Sequence, residues 1–323
     1  MSVVIGIVLC AAACSDSSAP PTTPTTPSTP APTPPPAPTT YVVSGALTAT
    51  NDGRPLTGMN ITIGGSSTTT DGAGRYTLTL PISAGSVPYS VSGGNLLTHS
   101  GYITAGSTRT ANFDAIAQDP TFDLSFYRQL VRDQFSSSVL RTLLRWTTNP
   151  NIYVRTVDST TGRVVEPEVL ALVVDWAQRS VPLWTAGRLR VARLETGAAD
   201  RPDTPDWIVV DFIRDSTKNY CGQSFVGRNP GRVTLNNDRC NCGSTKVPAG
   251  TVLHEFGHAL GFFHVSDRQS IMYPQDPGGC PAPALSVAEQ RHSAIAYSRP
   301  NGNADPDSDS PASVFVVPTF RIP

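Results

Sequence analysis

The chain has 323 residues, 15% of them charged against roughly 25% in an average soluble protein, and 24 basic side chains balance 25 acidic ones to a net charge of −1. Such a balance gives no field to draw the protein to nucleic acid, and no apolar stretch reaches the roughly 20 residues that span a bilayer, so a nucleic-acid partner and a membrane-spanning fold are both excluded. The length allows about two domains, and the 30 prolines and six cysteines are concentrated in particular segments.

Residues 1–13 read as an export signal, an apolar run closed by Ala11, Ala12 and Ala13. Small residues directly before Cys14 resemble the lipobox of bacterial lipoproteins, in which the chain is cut before a cysteine that is then acylated. The resemblance implies a mature chain that starts at a lipidated Cys14 and meets the membrane through that anchor only, at the cell envelope or cell surface. An ordinary secretory signal is the alternative. Residues 14–40 form a Pro/Thr-rich linker: positions 20–40 hold ten prolines, eight threonines, one serine and two alanines. Sequence of this kind favours polyproline II at about 3.1 Å per residue, a semi-rigid spacer of up to roughly 65 Å.

Residues 41–117 change to short β-rich runs such as Tyr41-Val42-Val43, Ile61-Thr62-Ile63, Tyr76–Leu80 and Tyr89-Ser90-Val91. Asp71-Gly72-Ala73-Gly74 has the residues of a tight hairpin. The pattern predicts an all-β sandwich module of about seven strands. Val43-Ser44-Gly45, Gly58–Thr62 and Thr70–Tyr76 resemble the carboxypeptidase regulatory-like modules of the transthyretin type. His99 stands alone in this module and reads as structural, and a plain spacer is preferred to a glycan- or protein-binding role.

Residues 118–300 carry a different alternation of elements. Asn151–Asp158 reads as a strand, Glu166-Pro167-Glu168 opens a helix with Val169, Leu172, Val173 and Trp176 at helical spacing, and Leu189–Glu195 and Trp207–Asp215 read as further strands. Gly231–Asn236 is another strand, Val252–Leu260 a helix, and Leu285–Tyr297 the last helix, on which Glu289 and His292 are read as structural.

The chemistry concentrates in residues 254–264, which hold three of the chain's five histidines. His254 and His258 are four residues apart, so on a helix they project from one face and can share a metal ion. Glu255 beside them is placed to take a proton from a water on that metal without being a ligand. Gly261 permits a backbone reversal that returns His264 as the third ligand. Three protein ligands leave the fourth tetrahedral position open, the mark of a catalytic rather than structural zinc site. A bare H-E-x-x-H arises by chance on the order of once per hundred such chains, and the added glycine and histidine lower that about a thousandfold.

The run His254–His264 followed by Ser270-Ile271-Met272-Tyr273-Pro274 resembles the metzincin zinc endopeptidases, whose third histidine is followed by a methionine turn. With Met272 eight residues after His264, together with Asp267 and the Met-Tyr-Pro sequence, it looks like the matrixin branch, although Val265 stands where matrixins usually have serine. The resemblance implies an α+β catalytic domain with a twisted mixed sheet and about three helices. It implies a floor under the metal from Met272, Tyr273 in the same turn and Pro274 in the pocket wall, and it makes Gly231–Asn236 the edge strand that takes an extended substrate.

Cys10 leaves with the signal and Cys14 carries the lipid. Cys221, Cys240, Cys242 and Cys280 then read as two disulfides in an exported domain, with Cys240 and Cys242 each bonded to Cys221 or Cys280 in either order; a thiolate zinc site is the less favoured alternative. In the tail, residues 301–323, Asp305, Asp307 and Asp309 read as a solvated acidic linker, calcium there having no other support. Val314–Pro323 is apolar enough to pack back on the domain. The expectation is a multi-domain, monomeric, secreted or surface-anchored zinc endopeptidase acting on protein or peptide. The alternative is a non-catalytic surface lipoprotein that binds protein or glycan through the β module.

Overall fold

Alternating side chains begin the folded chain: β1 (Thr40–Ala49) buries Tyr41, Val43, Leu47 and Ala49 and exposes Val42 and Ser44. The computed structural model describes residues 39–82, 85–104, 106, 109–242, 245–275, 283–309 and 319–322, giving only the backbone for 241–242, 245 and 319–322. The expected signal, Cys14 and nearly all of the 14–40 linker lie outside the described residues, as do Cys280 and the Cys242 side chain. Residues 39–323 group as one unit.

After β1 come β2 (Asn60–Ile63), β3 (Ser66–Thr69), β4 (Arg75–Pro81), β5 (Ser86–Ser92), β6 (His99–Thr104) and β7 (Phe113–Ala115). They make a three-stranded sheet in the order β4-β1-β7 and a four-stranded antiparallel sheet in the order β3-β2-β5-β6. Val43, Leu47 and Leu78 of the first sheet and Ile61, Ile63 and Val91 of the second belong to one apolar cluster. Asp71–Gly74 is not the hairpin its composition suggests. It is a corner between the two sheets, since β3 and β4 lie in different ones. Asp71 Oδ1 accepts from the Ala73 and Arg75 amides, and Gly74 turns at φ 71° with its α-carbon so close to Leu47 that a β-carbon would fall 2.7 Å from the Leu47 carbonyl oxygen.

The remaining elements are α1 (Leu124–Arg132), β8 (Asn151–Asp158), α2 (Pro167–Trp184), β9 (Arg193–Gly197), β10 (Trp207–Ile213), β11 (Gly222–Phe225), β12 (Gly231–Asn236), a short hairpin of β13 (Asn241–Cys242) and β14 (Thr245–Lys246), α3 (Ala249–Ala259), α4 (Val287–Ser298) and β15 (Thr319–Ile322). A sheet in the order β15-β11-β12-β10-β8-β9 is parallel from β12 to β9 and antiparallel at β11 and β15. Its central strand β10 buries all but its last residue. The helix α1 was not anticipated. Asp123 caps it by accepting from the Ser125 and Phe126 amides, and Phe126, Tyr127, Leu130 and Val131 line its buried face. The strand expected from Leu189 starts instead at Arg193, because the Leu189 amide donates to Thr185 Oγ1 and closes the end of α2.

Two further expectations are corrected. Gly231–Asn236 is not an edge: β12 is paired on both sides, by β10 and by β11, and beyond it lie two antiparallel strands, Gly222–Phe225 and then Thr319–Ile322. The aspartates of the tail are not a solvated linker either. Arg299, buried in the core, donates to both oxygens of buried Asp307 at 2.7 Å, and to Asp114 of the first sheet and Thr50 just after β1. Asp305 pairs bidentately with Arg128, and Asp309 meets buried His99 at 3.0 Å. Charges so placed are satisfied by one another and need no calcium to explain them. Among the described residues no helix is long and apolar enough to cross a membrane.

Candidate metal centre

The site is built on α3, every residue of which from Val252 to Ala259 is buried. A helix sunk this deeply must place its end carbonyls, and two aromatic side chains serve them: Trp146 Nε1 donates to Ala259 and the Tyr297 hydroxyl to Leu260, while Trp184 Nε1 donates to the mid-helix carbonyl of Leu253. At the C-terminus Gly261 N–H donates to the His258 carbonyl and Phe262 N–H to the Gly257 carbonyl, the paired bonds of a Schellman motif with glycine at its left-handed position. Gly261 has φ 112°, and a β-carbon on it would fall 1.8 Å from the Leu144 carbonyl oxygen. That backbone obstacle cannot be rotated away. Gly261→Ala is therefore expected to cost at least about 3 kcal/mol in denaturant unfolding and to weaken zinc more than tenfold in chelator competition, since His264 follows the displaced turn.

The structure brings His254, His258 and His264 together, all buried. Their Nε2 atoms are separated by 3.0, 3.2 and 3.2 Å. Two of the rings are oriented from behind: His254 Nδ1 lies 2.6 Å from the Ile271 carbonyl oxygen and His258 Nδ1 2.7 Å from that of Phe262. Only an Nδ1–H can make those bonds, which turns each Nε2 lone pair inward. Burial pushes the pKa of His254 down to about 3 and that of His264 to about 4, and holds that of His258 well below the usual histidine range, so the rings are neutral at pH 7. Three converging lone pairs repel unless a cation sits between them. Nitrogens set tetrahedrally about 2.0–2.1 Å from zinc stand roughly 3.3 Å apart, which the observed spacing fits.

Glu255 completes the fit. It is fully buried, and neither carboxylate oxygen has a hydrogen-bond partner among the described residues. Burial raises its pKa well above the usual carboxylate value. An unpaired buried carboxyl on the residue next to His254, in the helix that carries two of the three histidines, suits a hydrolytic zinc site rather than a structural one. Its Oε1 points at β11, where a β-carbon on Gly222 would fall 2.5 Å away.

The methionine turn lies against the same helix. Met272 is buried with its sulfur at Gly257, between the two helical histidines, and the Val265 amide donates to the Met272 carbonyl. Tyr273 and Pro274 are half-buried beyond it, with the Arg268 guanidinium 5.9 Å over the tyrosine ring. Glu289 of α4 pins the turn: one carboxylate oxygen accepts from the Ser270 hydroxyl and the Met272 amide, the other from the Ser286 amide. The structural role expected of Glu289 is thus to hold this turn. Its signal was the Ser286-x-x-Glu289 capping box. His292 is remote from the cluster and accepts from the Asp123 amide at the start of α1. Cys221 and Cys240 form a disulfide that joins the entry of β11 to the segment after β12.

Residues 200–271 match the family model of astacin, peptidase family M12A, a stretch that spans β10 to β12, α3 and the third histidine. No curated protein gives a significant match to the chain. Astacin is a metzincin branch other than the matrixin-like one expected from the spacing of Met272, and the match gives that finer assignment no support. What the match and the histidine geometry jointly support is a zinc metallopeptidase of the metzincin kind.

Proposed function

We propose that residues 118–300 are an exported zinc endopeptidase that hydrolyses peptide bonds in protein or peptide substrates as a monomer, with Glu255 as general base. The observation that carries this reading is the convergence of three neutral imidazole nitrogens, together with a buried carboxyl group on the same helix that has no hydrogen-bond partner among the described residues. Zinc held by His254, His258 and His264 would supply a Lewis acid for the scissile carbonyl and acidify a water. The chain's own part is proton handling and placement. Glu255, desolvated and raised in pKa, takes a proton from the attacking water and delivers it to the leaving amine. The backbone bonds behind His254 and His258 hold their lone pairs inward throughout, and Met272, pinned by Glu289, closes the site from below.

Cys14 would tether the domain to a membrane by lipid through the Pro/Thr-rich stalk, with residues 41–117 as a spacer. Cys242 and Cys280 are left to form the second bridge, since Cys221 and Cys240 are already joined. A matrixin-like branch rests on the eight-residue interval from His264 to Met272, Asp267 and the Met-Tyr-Pro sequence. Casein digestion tests the central claim. The purified chain is expected to degrade casein, a zinc chelator to reduce degradation to that of buffer, and added zinc to restore it; degradation that survives complete zinc removal would overturn the assignment.

A further inference from the structure

The outer side of β11 is the side on which an extended peptide can add a strand beside Glu255. The chain itself occupies that side. β15 pairs antiparallel with β11, setting Thr319 opposite Phe225, Phe320 opposite Ser224, Arg321 opposite Gln223 and Ile322 opposite Gly222. The register runs the segment toward the site, because Gly222 is the residue whose α-carbon lies against Glu255. The sequence around it suits a short, releasable strand. Val314–Pro323 carries one charge, Arg321, and Pro318 and Pro323 flank the paired residues, where a missing N–H stops the ladder from growing. The segment is also tethered close by. Ser308 bridges Ser100 of β6 and Asp309 meets His99, and the nine residues from 310 to 318 give a reach of at most about 35 Å.

We propose that Thr319–Ile322 is an intramolecular strap on the peptide-accepting edge of β11, competing with substrate for the backbone of Gly222–Phe225. Its effect on turnover rests on the peptidase reading; its occupancy of the edge does not. A strap closed in about nine molecules of ten reduces the apparent affinity for a competing peptide about tenfold.

The test compares the full chain with a chain ending at Asp309, which keeps the contacts to His99 and Arg299. With zinc present, truncation is expected to lower KM for an extended fluorogenic peptide about tenfold while kcat stays within twofold. Without zinc, a labelled peptide with the sequence of residues 314–323 is expected to bind the truncated chain about tenfold more tightly than the full chain, and amide exchange across Gly222–Phe225 to be faster in the truncated chain. The full-length double variant Phe320→Pro/Ile322→Pro, which removes backbone donors without shortening the chain, should behave like the truncation and decides the matter if the shorter chain misfolds. Peptide binding that is equal in strapped and unstrapped chains, or absent from both, overturns the strap. If no form cleaves any peptide, the peptidase reading fails, and the strap is then judged on binding and exchange.

Discussion

Glu255→Gln is expected to lower kcat/KM for peptide hydrolysis about a thousandfold, within the range in which a positioned general base contributes, while zinc stays bound in a one-to-one ratio by atomic absorption. The two effects separate because Glu255 lies outside the set of nitrogens that face one another, so the three histidines and their backbone supports are untouched. The same variant should leave the metal-free fold at least as resistant to urea near neutral pH. The sign follows from burial: the folded-state pKa of Glu255 is raised above its unfolded value, so the carboxylate disfavours the folded state increasingly as pH rises through the usual carboxylate range. Glutamine fills the same space without a charge. Wild-type-like cleavage by the variant would remove Glu255 from the mechanism.

Arg299→Ala is expected to be the most damaging single substitution away from the site, at about 3–5 kcal/mol, the range found when one partner of a buried ion pair is removed. The Arg299 side chain is 1% exposed and that of Asp307 is fully buried. Burial works against the guanidinium charge, and Asp307 and Asp114 more than offset it, so its pKa stands raised. Without the arginine, Asp307 keeps only the Asn303 amide at 3.0 Å and Asp114 keeps Thr50. The melting temperature should fall on the order of 10 °C. Arg299→Lys should not restore it, because an ammonium cannot bond both Asp307 oxygens and Asp114 in the same plane. Arg179→Ala is the control: its i,i+4 pair with Asp175 is exposed, and its loss should cost less than about 0.5 kcal/mol. Equal melting of Arg299→Ala and the control would show that the network does not hold the tail and the first sheet together.

The parts of the site that sequence reading reached are local. His254, Glu255 and His258 are related by one helical turn, and Gly261 and His264 by a capping geometry that glycine alone adopts at low cost. Helix α1 is equally local in its signals, the Asp123 cap and the spacing of Phe126, Tyr127, Leu130 and Val131. Strand β11 was not legible. Gly-Gln-Ser-Phe has no apolar alternation, and it is a strand because β12 offers it a ladder, so the sequence points to β12 where the structure sets β11 and β15 further out. The acidic tail misled for a related reason: a run of aspartates looks solvated unless its counter-charges, here Arg128, Arg299 and His99, are known to be adjacent.

By itself, the sequence determined the histidine cluster, the helix that carries two of its members and the division of the chain into composition zones, because each depends on residues within a few turns of one another. Tertiary structure decided which strand borders Glu255, that Glu289 holds the methionine turn, which cysteine meets Cys221, and where the tail goes. Those pairings close loops of tens to hundreds of residues, and many closures of similar entropic cost compete until packing selects one.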